Sequence, residues 1–183
     1  MHHIYHTEGI ILGSRNFGEA GKYYDIFTRD LGMVRASASG VRKMSSKLRF
    51  ILQDFAYVKV DLVRGKDFWR LGSGAKTGEL ENLLKRKEVF AVVSNISRLL
   101  KRLLPGEDVN PALFVDVIKG FSILETAASR EEIQNAEIIT VLRILADLGY
   151  IGADKMSDLI SQITTKRIEI LSLINQTLKE THL

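Results

Sequence analysis

Residues 36 to 52 read ASASGVRKMSSKLRFIL, a stretch that combines a dense group of cations with a short helix-like segment. Arg42, Lys43, Lys47 and Arg49 fall within eight residues, and the stretch contains no carboxylate. Like charges this close repel one another unless an anion lies against them. The stretch therefore predicts a contact with a polyanion, with a solvated basic loop as the plainer alternative.

The helix-like segment has a defined place among strand-like segments. A serine, Ser45 or Ser46, is placed to cap it, and its apolar residues then fall on one side. Strand-like segments precede and follow it, at Ile10 to Leu12, Tyr23 to Thr28, Met33 to Ser39, Phe55 to Val63 and Phe68 to Leu71. Five strands with a helix after the third is the order of the OB fold, a small barrel that often binds oligonucleotides.

After Lys76 the spacing of apolar residues changes from two to about 3.6, which is typical of helices. Helices are predicted from about residue 79 to 104, from Pro111 onwards, from Ser129 to Gly149, and over about 155 to 163 and 165 to 181. The last two are also compatible with one bent helix. We therefore predict an α+β protein, with a five-stranded OB barrel at residues 1–78 and a helical domain of about five helices at 79–183.

The charge is distributed unevenly over the 183 residues, which together carry a net charge of +4. Residues 1–78 hold 13 Lys and Arg against 7 Asp and Glu, whereas residues 79–183 hold 13 against 15. This asymmetry indicates that the first part meets polyanions. No apolar stretch is long enough for a membrane span and no signal peptide is apparent. We expect a cytoplasmic protein, on the nucleoid when bound to DNA, with no membrane partner.

Several kinds of chemistry are excluded by what the chain does not contain. It has no cysteine, so disulfides, thiolate metal sites and thiol nucleophiles are absent. The four histidines, His2, His3, His6 and His182, lie at the two ends of the chain and are interpreted as incidental surface residues. No Walker or GxSxG motif is present. We predict no catalytic residue, metal, cofactor or small-molecule substrate, and hence no enzyme.

Strand alternation sorts the remaining candidates for DNA contact. Arg35 should project outward beside the basic loop, and Tyr57 and Lys59 should point away from the barrel interior, with Tyr57 either stacking on a base or bracing a loop. Trp69 shares the parity of Leu71 and is predicted to be a core residue. The predicted DNA-contact residues are Tyr57 and the cations of a basic strip, and the complete set is Lys22, Arg35, Arg42, Lys43, Lys47, Arg49, Tyr57, Lys59, Arg64 and Lys66.

The segment TEGIILGSRNFGEAGKYYDIFTRDLGMVRASASGVRK, residues 7–43, resembles the amino-terminal OB domain of the RecO family of bacterial recombination mediators. Further segments resemble the family in order: LVRGKDFWRL at 62–71, RLLPGEDVNPALF at 102–114 and LRILADLGYIGAD at 142–154. The resemblance implies a protein without enzymatic turnover that binds single- and double-stranded DNA and anneals complementary strands. It also implies RecR and single-strand DNA-binding protein as partners, and assistance in loading RecA.

One departure from the family pattern concerns zinc. Many members carry a four-cysteine zinc module after the LGY segment, whereas here residues 151–154 run straight into the next predicted helix. The expectation is a shortened form without zinc, in which functions that depend on that module are in doubt. The alternative function is a protein-interaction module, in which the barrel presents its loops to a protein and has no physiological nucleic-acid ligand.

Overall fold

The first part of the chain forms a closed barrel of five strands. In a computed structural model that describes residues 3 to 180, these are β1 (Ile4–Phe17), β2 (Gly21–Thr28), β3 (Gly32–Ala38), β4 (Tyr57–Arg64) and β5 (Trp69–Lys76). Neighbours follow the order β1-β2-β3-β5-β4, and pairing of β4 with β1 closes the barrel. With a helix between β3 and β4, this topology confirms the predicted OB fold.

Strand β1 extends well beyond the apolar run of Ile10 to Leu12. Residues Ile4–Ile10 pair with β4, residues Gly9–Phe17 pair with β2, and the register shifts between Ile11 and Gly13. Because the start of the strand bonds to β4 and its end bonds to β2, polar residues at both ends belong to the sheet. The apolar pattern alone could not reveal this length.

The barrel interior is filled by alternate strand residues, as predicted. Val58, Val60 and Leu62 on β4 are at most 2% exposed. Trp69, which is 4% exposed, and Leu71 belong to the same core, so the prediction of Trp69 as a core residue is confirmed. The other core members are Ile11, Tyr24, Ile26, Val34, Ala36, Ala38, Val41 and Leu52.

The short helix α1 (Leu48–Ile51) lies between β3 and β4 and packs its apolar side on the barrel core. The predicted serine cap is wrong. The residue before the helix is Lys47, whose backbone is already helical, and no side chain caps the first turn. Ser46 instead takes part in the preceding turn, where its backbone N–H donates to the carbonyl of Lys43 at 3.0 Å.

Five further helices follow β5 in the described residues: α2 (Lys87–Leu103), α3 (Pro111–Thr126), α4 (Arg130–Asp147), α5 (Ala153–Ser161) and α6 (Arg167–Glu180). The alternative of one bent helix at the end is wrong, since α5 and α6 are separate. Helix α2 begins at Lys87 rather than near residue 79. Leu80 has φ of 60°, which no right-handed helix accommodates, and it is buried outside the helix together with Leu83.

The predicted boundaries of α4 are confirmed by its hydrogen bonds. The Ser129 hydroxyl accepts from the N–H of Glu132 at 3.1 Å, and the Glu132 carboxylate accepts from the N–H of Ala128 at 2.7 Å. In a standard capping box the carboxylate of Glu132 would accept from the N–H of the N-cap residue, Ser129. Here it accepts from the residue before the N-cap. At the other end Gly149 takes φ of 79°, which lets the N–H of Tyr150 reach the carbonyl of Leu145 at 2.8 Å.

The chain divides into two compact units. The first runs to Glu81 and also includes Ser97–Pro111, and the second comprises Asn82–Ile96 and the described residues from Ala112 onwards. In the first unit the loop after α2 packs on the barrel, since Met33 donates its N–H to the carbonyl of Gly106 at 3.1 Å. The domain boundary between residues 78 and 79 stays a prediction. Among the described residues, no helix has the length and apolar content needed to cross a membrane.

Candidate nucleic-acid interface

A cleft of about 280 Å³ at one end of the barrel brings three of the predicted cations together. We call it the cationic cleft, and its lining residues are Lys22, Tyr24, Val41, Arg42, Arg49 and Leu52. Lys22 lies at the start of β2, Arg42 in the loop after β3, and Arg49 in α1. The cleft therefore collects charge from three separate segments of the first unit.

Apolar anchors hold these segments in place. Val41 and Leu52 are each 2% exposed and belong to the barrel core, so they fix both ends of the basic loop. The N–H of Arg42 donates to the carbonyl of Ala20 at 2.9 Å, which ties the loop to the turn before β2. Because the anchors are buried, the charged side chains beside them are directed into solvent.

The cations of the cleft have no carboxylate partner among the described residues. Lys22 donates to the Ser14 hydroxyl at 3.2 Å, and Arg49 donates to the sulfur of Met44 at 3.0 Å. Burial, and then the charge of nearby Asp54, raise the pKa of Tyr24 to about 12, so its hydroxyl stays neutral. Ammonium, guanidinium and a neutral hydroxyl suit phosphate binding.

Lys43, Lys47 and Lys66 are exposed and make no ion pair within the described residues. Lys43 and Lys47 lie in the loop that forms one wall of the cationic cleft, whereas Lys66 lies in the turn between β4 and β5. The structure therefore groups five of the ten predicted residues, Lys22, Arg42, Lys43, Lys47 and Arg49, in and beside the cleft.

Three other predicted residues are held by carboxylates, so the expected continuous strip is interrupted. Arg35 lies 2.9 Å from a carboxylate oxygen of Asp25, Lys59 lies 3.7 Å from one of Glu8, and Arg64 pairs with Glu107. The first two pairs follow from strand register, because Asp25 stands directly opposite Arg35, and Glu8 opposite Lys59. Opposite charges in such positions attract one another across the sheet.

Tyr57 differs most from its expected role. It points away from the barrel core as predicted, yet only 8% of it is exposed. Its hydroxyl donates to a carboxylate oxygen of Glu8 at 2.7 Å, and burial followed by this hydrogen bond raises its pKa far above the ordinary tyrosine value. A ring enclosed in this way offers no open face to a base, so the stacking platform predicted at Tyr57 is absent.

A group of surface aromatics was missed by the sequence reasoning. Phe17, Tyr23 and Phe68 contact one another on the outside of the barrel, with Arg15 over the ring of Tyr23. We call these three rings, together with Arg15 and Arg70, the aromatic face. The available signal was the parity of β2, which sends Tyr23 outward when Tyr24 is buried. The contacts of Phe17 and Phe68 depend on strand register and cannot be inferred from parity.

The described residues contain no group of three or more His, Asp or Glu placed to hold a metal ion. His6 is hydrogen-bonded to Asp61, with 2.5 Å between its Nδ1 and a carboxylate oxygen. A bond from Ser73, and then the bond with His6, lower the pKa of Asp61. His3 packs its ring edge-on against Tyr5. His2 and His182 lie outside the described residues.

Residues 1–75 match the family described as "Recombination protein O N terminal". Among curated proteins, the chain is 29% identical over 129 residues to a DNA repair protein RecO of Dehalococcoides mccartyi, which covers 70% of the chain and 51% of the relative. It is also 29% identical over 147 residues to that of Clostridium novyi, covering 80% of the chain and 57% of the relative.

The chain thus spans about half the length of the curated relatives it matches. A third relative, the DNA repair protein RecO of Caldanaerobacter subterraneus, is 26% identical over 79% of the chain. These matches confirm the resemblance seen in residues 7–43. Over 70 to 80% of its length the chain is thus similar to the RecO DNA repair proteins, and residues 1–75 match the amino-terminal domain of that family.

Proposed function

We propose that this protein is a non-catalytic mediator of DNA repair by recombination, which binds single- and double-stranded DNA without sequence preference. The observation that carries the proposal is the cationic cleft, where Lys22, Arg42 and Arg49 meet without a carboxylate partner among the described residues. Cations that lack internal partners neutralise phosphates at little cost, whereas paired ones must first give up a carboxylate. The names of the relatives, DNA repair proteins, support the same function.

The lack of sequence preference follows from the types of group present. Phosphate contacts fix the position of a protein on DNA but carry no sequence information. The residues that line the cationic cleft include no Asn, Gln, Asp or Glu that would pair with adenine or cytosine, and its arginines and lysine, which can meet guanine, contact phosphates of any sequence equally well. Affinity should then come from released counterions, and the logarithm of the binding constant should fall linearly with the logarithm of salt concentration.

The test is a titration of fluorescently labelled DNA at several salt concentrations, read by anisotropy. The variant Arg42→Ala/Arg49→Ala should bind more weakly, and its salt slope should be smaller by about 0.7 to 0.9 for each phosphate that is no longer neutralised. Lys155→Ala/Lys179→Ala, which removes the same charge from exposed positions on α5 and α6, is the matched control and should leave the slope unchanged. Equal slopes for all three proteins would refute the cleft as the DNA site.

Strand annealing is the activity that this mode of binding supports. A protein that screens the phosphates of two strands, and leaves their pairing edges open, lowers the repulsion between the strands. Complementary oligonucleotides labelled with a donor and an acceptor dye should therefore pair faster with the wild-type protein than with the Arg42→Ala/Arg49→Ala variant. Annealing at the same rate in both would separate the activity from the cleft.

From the likeness to RecO we further propose that the protein binds RecR and single-strand DNA-binding protein. We also propose that it assists in loading RecA. We also propose that the protein acts in the cytoplasm. Purified partners can be tested one at a time by analytical ultracentrifugation with nuclease present. A complex that persists there is a protein contact, whereas one that disappears was bridged by DNA.

A further inference from the structure

The aromatic face stands on the outer surface of the barrel, and strand register places its members side by side. Arg15 on β1 lies opposite Tyr23 on β2, which lies opposite Ser37 on β3, and Ser37 in turn pairs with Arg70 on β5. Their chain neighbours Tyr24, Ala36 and Leu71 are buried in the barrel core. The row therefore runs across four strands on the side that faces solvent.

Two further rings, Phe17 and Phe68, contact Tyr23 beside this row. The ring centroids of Phe17 and Tyr23 are 4.6 Å apart, and those of Tyr23 and Phe68 are 5.0 Å apart. Phe17 is 47% exposed and Phe68 is 39% exposed. A single exposed aromatic residue is ordinary, but three in contact form an apolar patch of the kind that binds a partner.

The charges around the patch favour an anionic partner. The guanidinium carbon of Arg15 lies 5.2 Å from the centre of the Tyr23 ring, and Arg70 is exposed at the other end of the row. Neither arginine has a carboxylate partner within the part of the chain that the structure describes. Two carboxylates, Glu19 and Asp67, lie in the flanking loops, and Asp25 is occupied by Arg35. The row itself carries only positive charge.

We propose that the aromatic face binds single-stranded nucleic acid, with bases stacked on Phe17, Tyr23 and Phe68 and phosphates held by Arg15 and Arg70. Aromatic rings interleaved with cations are the usual means of holding an unpaired strand. The bases of a duplex are already stacked on one another and cannot reach such rings. This inference rests on the proposed function and adds to it a preference of this surface for single strands.

The two surfaces then have separate tasks. Lys22 of the cationic cleft and Tyr23 of the aromatic face are adjacent in β2, but alternation along the strand directs their side chains to opposite sides of the sheet, so the two surfaces are distinct. The cationic cleft acts on the phosphates of either form of DNA, and the aromatic face acts on unpaired bases. Stacking occupies the faces of the bases and leaves their pairing edges open, which is compatible with annealing.

The experiment compares Phe17→Leu/Phe68→Leu with the wild-type protein on an oligothymidine of about 20 nucleotides and on a duplex of equal length. Affinity for the oligothymidine should fall about 10- to 100-fold, affinity for the duplex should change less than about twofold, and the salt slope should be unchanged. Phe17→Tyr/Phe68→Tyr, which keeps the rings, should bind as the wild type does. Phe90→Leu, at a position also 47% exposed but on α2, should have no effect.

The outcomes separate this inference from the proposed function. If the double Leu variant binds the oligothymidine normally, or loses both DNA forms equally, the aromatic face is not a stacking surface, whatever the cationic-cleft variant does. If the cationic-cleft variant alone retains full affinity, the cleft is not the DNA site, and the observation that carries the proposed function fails instead. If the Leu variant does not fold, the wild-type protein can be photo-crosslinked to iodouracil-substituted oligothymidine. Crosslinks at Phe17, Tyr23 or Phe68 would support the inference. Crosslinks elsewhere would overturn it.

Discussion

Trp69 connects two segments that are far apart in the sequence, residues 62–71 and 102–114, through a hydrogen bond from its indole N–H. The nitrogen donates to a carboxylate oxygen of Glu107 at 2.9 Å, and the guanidinium of Arg64 lies over the ring, 4.9 Å from its centre. Both segments, residues 62–71 and 102–114, carry the likeness to the RecO family. The structure gives that likeness a physical basis, because Arg64 and Trp69 of the first segment both donate hydrogen bonds to Glu107 of the second.

Replacing Glu107 should therefore destabilise the protein through the tryptophan. Glu107→Ala leaves the buried indole N–H without an acceptor, which costs about 1 to 3 kcal/mol of unfolding free energy. Glu107→Gln keeps an acceptor oxygen and loses only an exposed ion pair with Arg64, worth less than about 1 kcal/mol. Urea denaturation followed by tryptophan fluorescence measures both. If the Gln variant is as unstable as the Ala variant, the ion pair rather than the indole bond is the important contact.

Glu137 on α4 makes stability depend on pH. Burial raises its pKa, and a hydrogen bond with Asn95 opposes the rise only in part. The folded state then holds the proton more tightly than the unfolded chain, so this contribution is present at low pH and is lost as pH rises through the ordinary glutamate range to the raised pKa.

Glu137→Gln should accordingly stabilise the protein at about pH 7 and have almost no effect at about pH 3, where the glutamate is neutral in both states. Because the side chain is only half-buried, the gain should stay below about 1 kcal/mol. Melting temperatures of both proteins at the two pH values give the comparison. If Glu137→Gln raised the melting temperature equally at both pH values, the gain would not come from removing the charge of Glu137.

At the scale of elements, α3 and α4 approach closely at one point. A Cβ atom on Gly120 would overlap the hydroxyl of Thr140 and lie 2.7 Å from its methyl carbon. The same hydroxyl donates to the carbonyl of Ala136 at 2.7 Å. Glycine inside a helix normally costs stability relative to alanine. Its presence in α3 is explained by the lack of space between the two helices.

Gly120→Ala should therefore destabilise the protein by about 1 to 3 kcal/mol, although alanine favours the helix itself. Adding Thr140→Ala removes the two closest atoms and should recover part of the loss, a non-additivity that denaturation of the single and double variants will detect. Ser122→Ala, at an exposed position of the same helix, should change stability by less than about 0.5 kcal/mol. A Gly120→Ala protein more stable than the wild type would contradict the close approach.

Local patterns predict elements better than they predict pairings. The inward residues of β4 and the cap of α4 follow from alternation and spacing within one segment, and both are confirmed. The hydrogen bond from Tyr57 to Glu8 depends instead on the register of β1 against β4, in which Ile10 lies opposite Tyr57 and Glu8 lies opposite Lys59. That register is set by the whole barrel, so the ion pairs that interrupt the predicted basic strip could not be inferred from one strand.

For the molecule as a whole, the change of period near residue 76 predicted a barrel followed by helices, and that order is confirmed. Composition also predicted a basic first part, and the cationic cleft lies there. The grouping of Ser97–Pro111 with the barrel was not predictable, since it rests on bonds such as that between Met33 and Gly106. Helical periodicity reports which face of a helix is buried, not what covers it.

The double pairing of β1 also has a consequence for the order of events as the protein is made. Half of β1 can bond to β2 as soon as that strand leaves the ribosome, but the other half waits for Tyr57–Val63. Until then a nascent chain exposes unsatisfied peptide groups beside a hydrophobic interior, the condition under which chains adhere to one another. Premature termination before β4 thus leaves a product that cannot close, rather than a smaller working domain.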